Sequence, residues 1–327
     1  MRTFSSVLAT IISDYLALKR ALGRQYNQEE WVLARLDHFL GVCHADLSAE
    51  TFAAWSLTLQ NLASGVRREH MRHVRNLCLY RRRREPGCFI PDERLFPPNH
   101  QVIRPHLFTQ AQVSQLLAVA RTLARTSNSP LCPENLRLAI VLLYTSGLRR
   151  GELTRLTVGD YDPCERTLMI RASKFHKSRL VPVSDDAARE IDDLLEIRRR
   201  LRFPAGVDSP LLWHRNRSYS GGGIGIAMRT LFRRAAIRTS TGRLPRTHDF
   251  RHGFALAALL RWYRAGINVQ TKLPALANYM GHVSIASTAY YLHFVEPLAA
   301  AASARFAEHC GALITPCPPA EVHDEFT

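Results

Sequence analysis

Two arginines, two histidines and a tyrosine lie in three short stretches whose chemistry suits attack on a phosphate. The first is Thr145-Ser146-Gly147-Leu148-Arg149-Arg150-Gly151-Glu152-Leu153, and the second is Thr247-His248-Asp249-Phe250-Arg251-His252. The third runs from Met280-Gly281-His282 through Ser284 and Thr288 to Tyr290-Tyr291. Arginine offers a planar fork that matches phosphate oxygens and stays charged. Histidine donates or accepts a proton near neutral pH. A free phenol has a pKa near 10, so it reacts at neutral pH only in a positive field with a base at hand. Each stretch alone has a plainer reading. Arg149 and Glu152 are spaced as a helical surface pair, His248 and Arg251 as packing neighbours, and an isolated tyrosine is usually structural. Their joint occurrence in this order favours transfer of a phosphoryl group to a protein oxygen.

A lysine fits the same chemistry. Thr167–Arg171 and Arg179–Val183 read as two strands, and the polar segment between them predicts a hairpin. Lys174 at its tip can protonate a leaving oxygen, with Lys177 as the alternate. The plainer reading makes Lys174, Lys177 and Arg179 ordinary DNA contacts. His248 and Arg251 share a helical face, anchored by Phe250, Phe254 and Ala255. Ser284 suits a helix N-cap, with Tyr291 about two turns further on. No group of carboxylates is spaced to hold magnesium, and the glycine-rich Ser218–Gly223 lacks the lysine and hydroxyl of a nucleotide loop, so it reads as a plain loop. Neither metal nor cofactor is expected.

These residues must be carried by a chain of 327 residues with 44 lysines and arginines against 28 acids, a formal charge of +16. That excess favours a polyanion, with double-stranded DNA ahead of an anionic membrane. No apolar run reaches the roughly 18–20 residues of a membrane span. The start of the chain lacks a secretory pattern, and seven irregularly spaced cysteines without a C-x-x-C pair read as free thiols in a cytoplasmic, nucleoid-associated protein rather than as zinc ligands.

Residues 1–85 read as helical. Val7, Ile11, Ile12, Tyr15 and Leu16 recur at helical spacing, as do Trp31, Leu33, Leu36, Phe39 and Leu40. Ser48 and Thr109 suit helix caps. Arg68, Arg72 and Arg75 fall on one helical face and Met71, Val74 and Cys78 on another, and a basic run including Arg81 and Arg82 follows. These five arginines are candidate DNA contacts; a solvated charged face is the alternative. The proline-rich 86–106 reads as a linker, 107–315 as a second domain and 316–327 as a flexible tail.

The stretches resemble the boxes of the tyrosine recombinase (phage integrase) family. G-L-R-x-x-E-L is met at Gly147–Leu153. The lysine hairpin is met with Ser173 and Phe175 in place of two glycines, H-x-x-R-H is met at His248–His252, and L-G-H-x-S-x-x-T-T-x-x-Y is met with Met280 for leucine and Ser287 for the first threonine. The resemblance implies a mainly α fold with a small β-sheet: a helical SAM-like core-binding domain and a mixed α/β catalytic domain. It implies a site-specific recombinase or integrase that cleaves and rejoins DNA through a 3′-phosphotyrosine, without metal. Tyr291 rather than Tyr290 would be the nucleophile and Arg149 rather than Arg150 the first clamp. Arg251 and His282 would hold phosphoryl oxygens, Lys174 would be the acid, His248 would move a proton and Glu152 would orient the site. Four protomers would act on paired sites, with a second recombinase possible. A DNA-relaxing topoisomerase of the same chemistry and a catalytically dead DNA-binding protein are the alternatives.

Overall fold

Apolar residues at three- and four-residue spacing dictate helices through the first hundred residues. The computed structural model describes residues 2–98, 104–171, 178–214 and 217–282. The chain divides into two units, Met1–Ile103 and Arg104–Thr327.

The first unit contains α1 (Ala9–Ala21), α2 (Asn27–Cys43), α3 (Ala49–Leu57) and α4 (Ser64–Arg81). Ile12, Leu33, Leu36, Trp55, Val74 and Leu77 form its core. Ser48 caps α3, accepting from the Thr51 N–H at 3.2 Å. Two residues of the apolar pattern are not core: Val7 and Trp31 are exposed, and the Arg35 guanidinium covers the Trp31 ring at 5.0 Å. The unit extends beyond Glu85 into the stretch expected to be linker. Phe96 is buried in its core, with Phe89 and Ile90 packed alongside, so the prolines there shape a docked loop. The α4 arginines are partly engaged within the unit. Arg68 Nη1 donates to the Pro97 carbonyl at 3.0 Å, and Arg72 pairs with Glu69 at 2.6 Å. Arg81 grips Asp46 with both Nη atoms, at 2.6 and 2.7 Å, and Glu85 through Nε at 2.7 Å. Arg75 is half-buried and Arg82 exposed.

In the second unit α5 (Gln110–Arg121) begins at a reciprocal cap between Thr109 and Gln112. α6 (Cys132–Ser146) is mainly apolar and mostly buried. It leads to α7 (Arg150–Leu153), then to an antiparallel sheet of β1 (Tyr161–Asp162), β2 (Thr167–Ile170) and β3 (Arg179–Pro182). β2 and β3 pair from Thr167↔Pro182 to Ile170↔Arg179, the predicted hairpin; β1 was not expected. α8 (Asp185–Arg200), starting at the Ser184 cap, a short ribbon of β4 (Trp213–His214) and β5 (Arg217–Ser218), and α9 (Gly221–Arg234) follow. Of the expected glycine-rich loop, the three glycines Gly221–Gly223 in fact start α9, because Ser220 Oγ accepts from the Gly223 N–H at 3.0 Å and caps a helix there. α10 (Asp249–Arg264) packs on α6, and α11 (Val269–Met280) packs on α10. No described helix is long and apolar enough to cross a membrane.

Gly147 ends α6 with φ of 58°, and a Cβ there would lie 2.6 Å from the Phe254 ring. This close turn aims Arg149. A left-handed alanine costs about 1–2 kcal/mol and an overpacked contact about 1–3. Gly147→Ala is therefore expected to lose about 2–4 kcal/mol in urea unfolding, with a Tm drop of several degrees. A Tm within about one degree of the parent would contradict both the conformational and the packing cost.

Candidate active site

The turn at Gly147 and the buried Leu148 place Arg149 at the N-cap of α7. Its own N–H donates to Glu152 Oε2 at 3.0 Å and its Nη1 to Glu152 Oε1 at 2.7 Å. Glu152 is 3% exposed. Arg179, at the start of β3, donates Nη1 and Nη2 to the same carboxylate at 3.1 and 2.9 Å. Burial alone pushes the Glu152 pKa up. The Arg179 hydrogen bonds, the Arg149 N–H, the Arg179 charge and the Arg149 side-chain hydrogen bond outweigh it and hold the group at about 2.

The C-terminus of α11 closes the other side. Arg179 Nε donates to the Tyr279 carbonyl at 2.7 Å, Arg251 Nη2 to Met280 at 2.6 Å and Arg149 Nη2 to Gly281 at 2.7 Å. Arg251 Nη1 also donates to the Gly147 carbonyl at 2.7 Å, so it joins the ends of α6 and α11. These carbonyls are the negative poles of their helices, where a cation is stabilised. Gly281 turns the chain with φ of 66°, and a Cβ there would meet Arg179 Nη1 at 2.7 Å and Arg149 Nη1 at 3.3 Å. Glycine is required both by the conformation and by the two approaching guanidinium groups.

His248 is the N-cap residue of α10, and His282 follows Gly281 with its N–H on the Ala277 carbonyl at 2.8 Å. The His248 ring meets His252 edge to face at 4.7 Å. His248 is exposed as a residue, yet its imidazole is crowded. Loss of water around the ring, then the Arg251 and Arg246 charges, lower its pKa. Burial and the same kind of positive neighbours push His252 and His282 down to about 4. All three imidazoles are thus neutral at pH 7.

The structure brings together Arg149, Glu152, His248, Arg251 and His282. It separates the two arginines by access. Arg149 keeps 24% of its side chain exposed and lines a cleft with His248, whereas Arg251 is 1% exposed. Arg179, expected as a DNA contact, is turned inward with its side chain 11% exposed. Its spacing from Glu152 gave no hint of this, since β3 and α7 meet only in the folded unit. Lys174, Lys177, Tyr290 and Tyr291 lie outside the described residues. A further pair was missed. Asp249, 2% exposed, accepts from the Arg246 N–H at 2.8 Å and from its guanidinium at 3.0 and 3.1 Å. The signal was there, an acid three residues after an arginine at a helix start.

The model of the Phage integrase family matches residues 106–296, more than half the chain. The chain belongs to this family. A Sinorhizobium fredii (strain NBRC 101917 / NGR234) protein provisionally named integrase/recombinase y4rB is 31% identical over 292 residues, covering 88% of this chain and 93% of that protein. The tyrosine recombinase XerC of Herpetosiphon aurantiacus is 30% identical over 206 residues, 62% of this chain and 60% of XerC. Among solved structures, the Tn1549 transposon integrase in complex with transposon right end DNA aligns with a TM-score of 0.60 at 17% identity, covering 86% of this chain and 93% of the other. The mainly helical fold with small antiparallel sheets is therefore the tyrosine recombinase fold, as the boxes implied. The chain is a site-specific DNA recombinase or integrase by family.

Two measurements check the electrostatics of this recombinase site. Folded His252 and His282 have pKa values near 4, against 6.5 for the free side chain. The unfolded chain therefore binds more protons between those values, and stability falls as pH drops from about 6.5 to 4. The Glu152 contribution is kept until pH falls below its unfolded value of 4.5, and is lost towards 2. His252→Gln should flatten the decline of Tm between pH 6.5 and 4.5; an unchanged slope would show that His252 stays uncharged in both states or charged in both. Glu152→Ala, which leaves two arginines without their acceptor, should cost about 3–5 kcal/mol in denaturant unfolding.

Proposed function

We propose that this recombinase cleaves and rejoins duplex DNA by metal-independent transesterification, with Tyr291 as nucleophile. The observation that carries the reading is the placement of Arg149 and a neutral His248 on one cleft, with Arg149 anchored by Glu152 and by the Gly281 carbonyl beside His282. The Tyr291 oxygen attacks a backbone phosphorus and forms a 3′-phosphotyrosine. The bond to the 5′-oxygen breaks, and Lys174 (or Lys177) protonates that oxygen. Attack by a 5′-hydroxyl reverses the step and reseals the strand, so the bond energy is conserved and no nucleotide is needed.

His248 is suited to accept the phenol proton, because its lowered pKa leaves it unprotonated at neutral pH. Arg149 and His282 stabilise charge that develops on the phosphoryl oxygens. Arg251 contributes its charge from one layer deeper, fixed on two helix ends. Glu152 and Arg179 orient. The helical first unit grips the duplex through arginines such as Arg72, Arg75 and Arg82, with Arg68 and Arg81 closer to structural use. Four protomers on two paired sites, with a second recombinase as a possible partner, complete the reaction on the nucleoid.

Tyr291→Phe should bind DNA and yield no covalent adduct with a nicked suicide duplex on a denaturing gel. An adduct that persists in this variant removes Tyr291 as nucleophile and leaves Tyr290 as the next choice. Arg149→Ala should slow cleavage by about 10²–10³-fold with little loss of affinity. Arg251→Ala should lose both cleavage and Tm, because the same side chain joins α6 to α11. An Arg251→Ala variant with the parent Tm would contradict that double role.

A further inference from the structure

The rotation of α10 about its own axis decides whether the site assembles. Successive helical residues are about 100° apart, so Phe250 and Arg251 leave the first turn in different directions. Arg251 must meet the Gly147 and Met280 carbonyls, and His248 at the cap must face the cleft. Phe250, 1% exposed, belongs to the core of the second unit. Whatever fixes its ring also fixes the aim of the other two.

The ring is held by an aromatic cluster. Phe108 lies on it face to face, with centroids 4.1 Å apart and planes 9° apart. Phe232 of α9, fully buried, flanks both, at 5.5 Å from Phe108 and 6.1 Å from Phe250. His106 meets Phe108 edge to face at 4.8 Å, and its Nε2 lies 3.0 Å from Gln112 Oε1. The same Gln112 oxygen accepts from the Thr109 N–H at 3.2 Å, in the cap of α5. The Phe108 ring is thus anchored beside a capped helix start. Phe108 comes near the beginning of the second unit, which starts at Arg104, and it is only half-buried. Filling core volume would not require a flat ring at such a place. Parallel rings restrict each other's tilt, which an aliphatic contact of similar volume does not.

We propose that Phe108 is a positioning residue for the cleavage site: its stack on Phe250 sets the rotation of the first turn of α10, and so the aim of His248 and Arg251. The proposal rests on the DNA-cleavage reading for the reaction it serves. It gives the segment that enters the second unit a part in the chemistry, exerted through Phe250 rather than by contact with DNA.

The test compares variants of the full chain. Phe108→Leu keeps apolar volume and removes the stack, whereas Phe108→Tyr keeps the ring. Ile191→Val, on α8, thins the same core elsewhere. Single-turnover cleavage of a nicked suicide duplex is measured with protein at saturation, beside DNA affinity and Tm. Phe108→Leu should slow cleavage by about 10–10²-fold, the range for a small displacement of a catalytic group, with affinity unchanged. Phe108→Tyr should restore the rate. Ile191→Val should lower Tm and leave the rate unchanged. The Cε1–H proton resonance of His248, identified by its loss in His248→Gln, should move in Phe108→Leu and return in Phe108→Tyr. Cleavage by Phe108→Leu at the parent rate overturns the proposal, as does a rate that simply follows Tm across the variants, or a His248 resonance that stays in place. The two readings fail separately. A parent protein that forms no Tyr291 adduct sinks the cleavage reading, and the His248 resonance then decides the stack.

Discussion

Three arginine side chains converge on the last carbonyls of one helix, and the candidate site depends on that grip. Arg179, Arg251 and Arg149 take the carbonyls of Tyr279, Met280 and Gly281 in succession. A buried guanidinium is expensive unless its donors are satisfied. Helix C-termini supply orphan acceptors with a negative pole, which is what such a donor requires. The arrangement also draws together segments far apart in sequence: the end of α6, the start of β3, the first turn of α10 and the chain entering His282.

Glu152 sets the charge balance of this cluster. One carboxylate serves two arginines, while Arg251 meets the carbonyl dipoles of two helix ends. The neighbourhood keeps an excess of positive charge. That excess has two effects. Added to burial, which is the larger cause, it lowers the pKa values of His248, His252 and His282, so the imidazoles are available as neutral donors or acceptors. It also favours an anion at the one guanidinium of the three with appreciable access, Arg149. Division of the arginines into a reachable one and two buried ones follows from where each enters the cluster. Arg149 comes from a turn at the cleft rim, Arg251 from a helix face packed on α6.

The first unit uses arginine differently. Arg81 joins α4 to Asp46 and Glu85, and Arg68 reaches the loop at Pro97. Exposed pairs of this kind contribute little stability individually, but they orient long side chains on the helical surface. A basic stripe read from spacing is therefore a mixture of struts and accessible cations.

Much of this protein was legible in its sequence because the deciding physics was local. Caps at Ser48 and Thr109 and the strand pattern around β2 and β3 depend on residues within a few positions, and each element formed where its pattern placed it. The boxes around Arg149, His248 and His282 indicated the family for the same reason: a reactive group and its flanks lie together in the chain. What spacing could not show was any partner brought from elsewhere. Ser218–Gly223 read as a loop because glycine is a poor helix former, yet the Ser220 cap starts a helix at Gly221. Phe96 read as linker because prolines surround it, yet the core of the first unit takes it. Arg179 read as a DNA contact because it is basic and next to a hairpin, yet Glu152 and the end of α11 turn it inward. Sequence determined which groups are present and which elements carry them. Tertiary structure decided which of those charges face solvent, because only packing brings a carboxylate or a helix end within reach of a guanidinium far away in the chain.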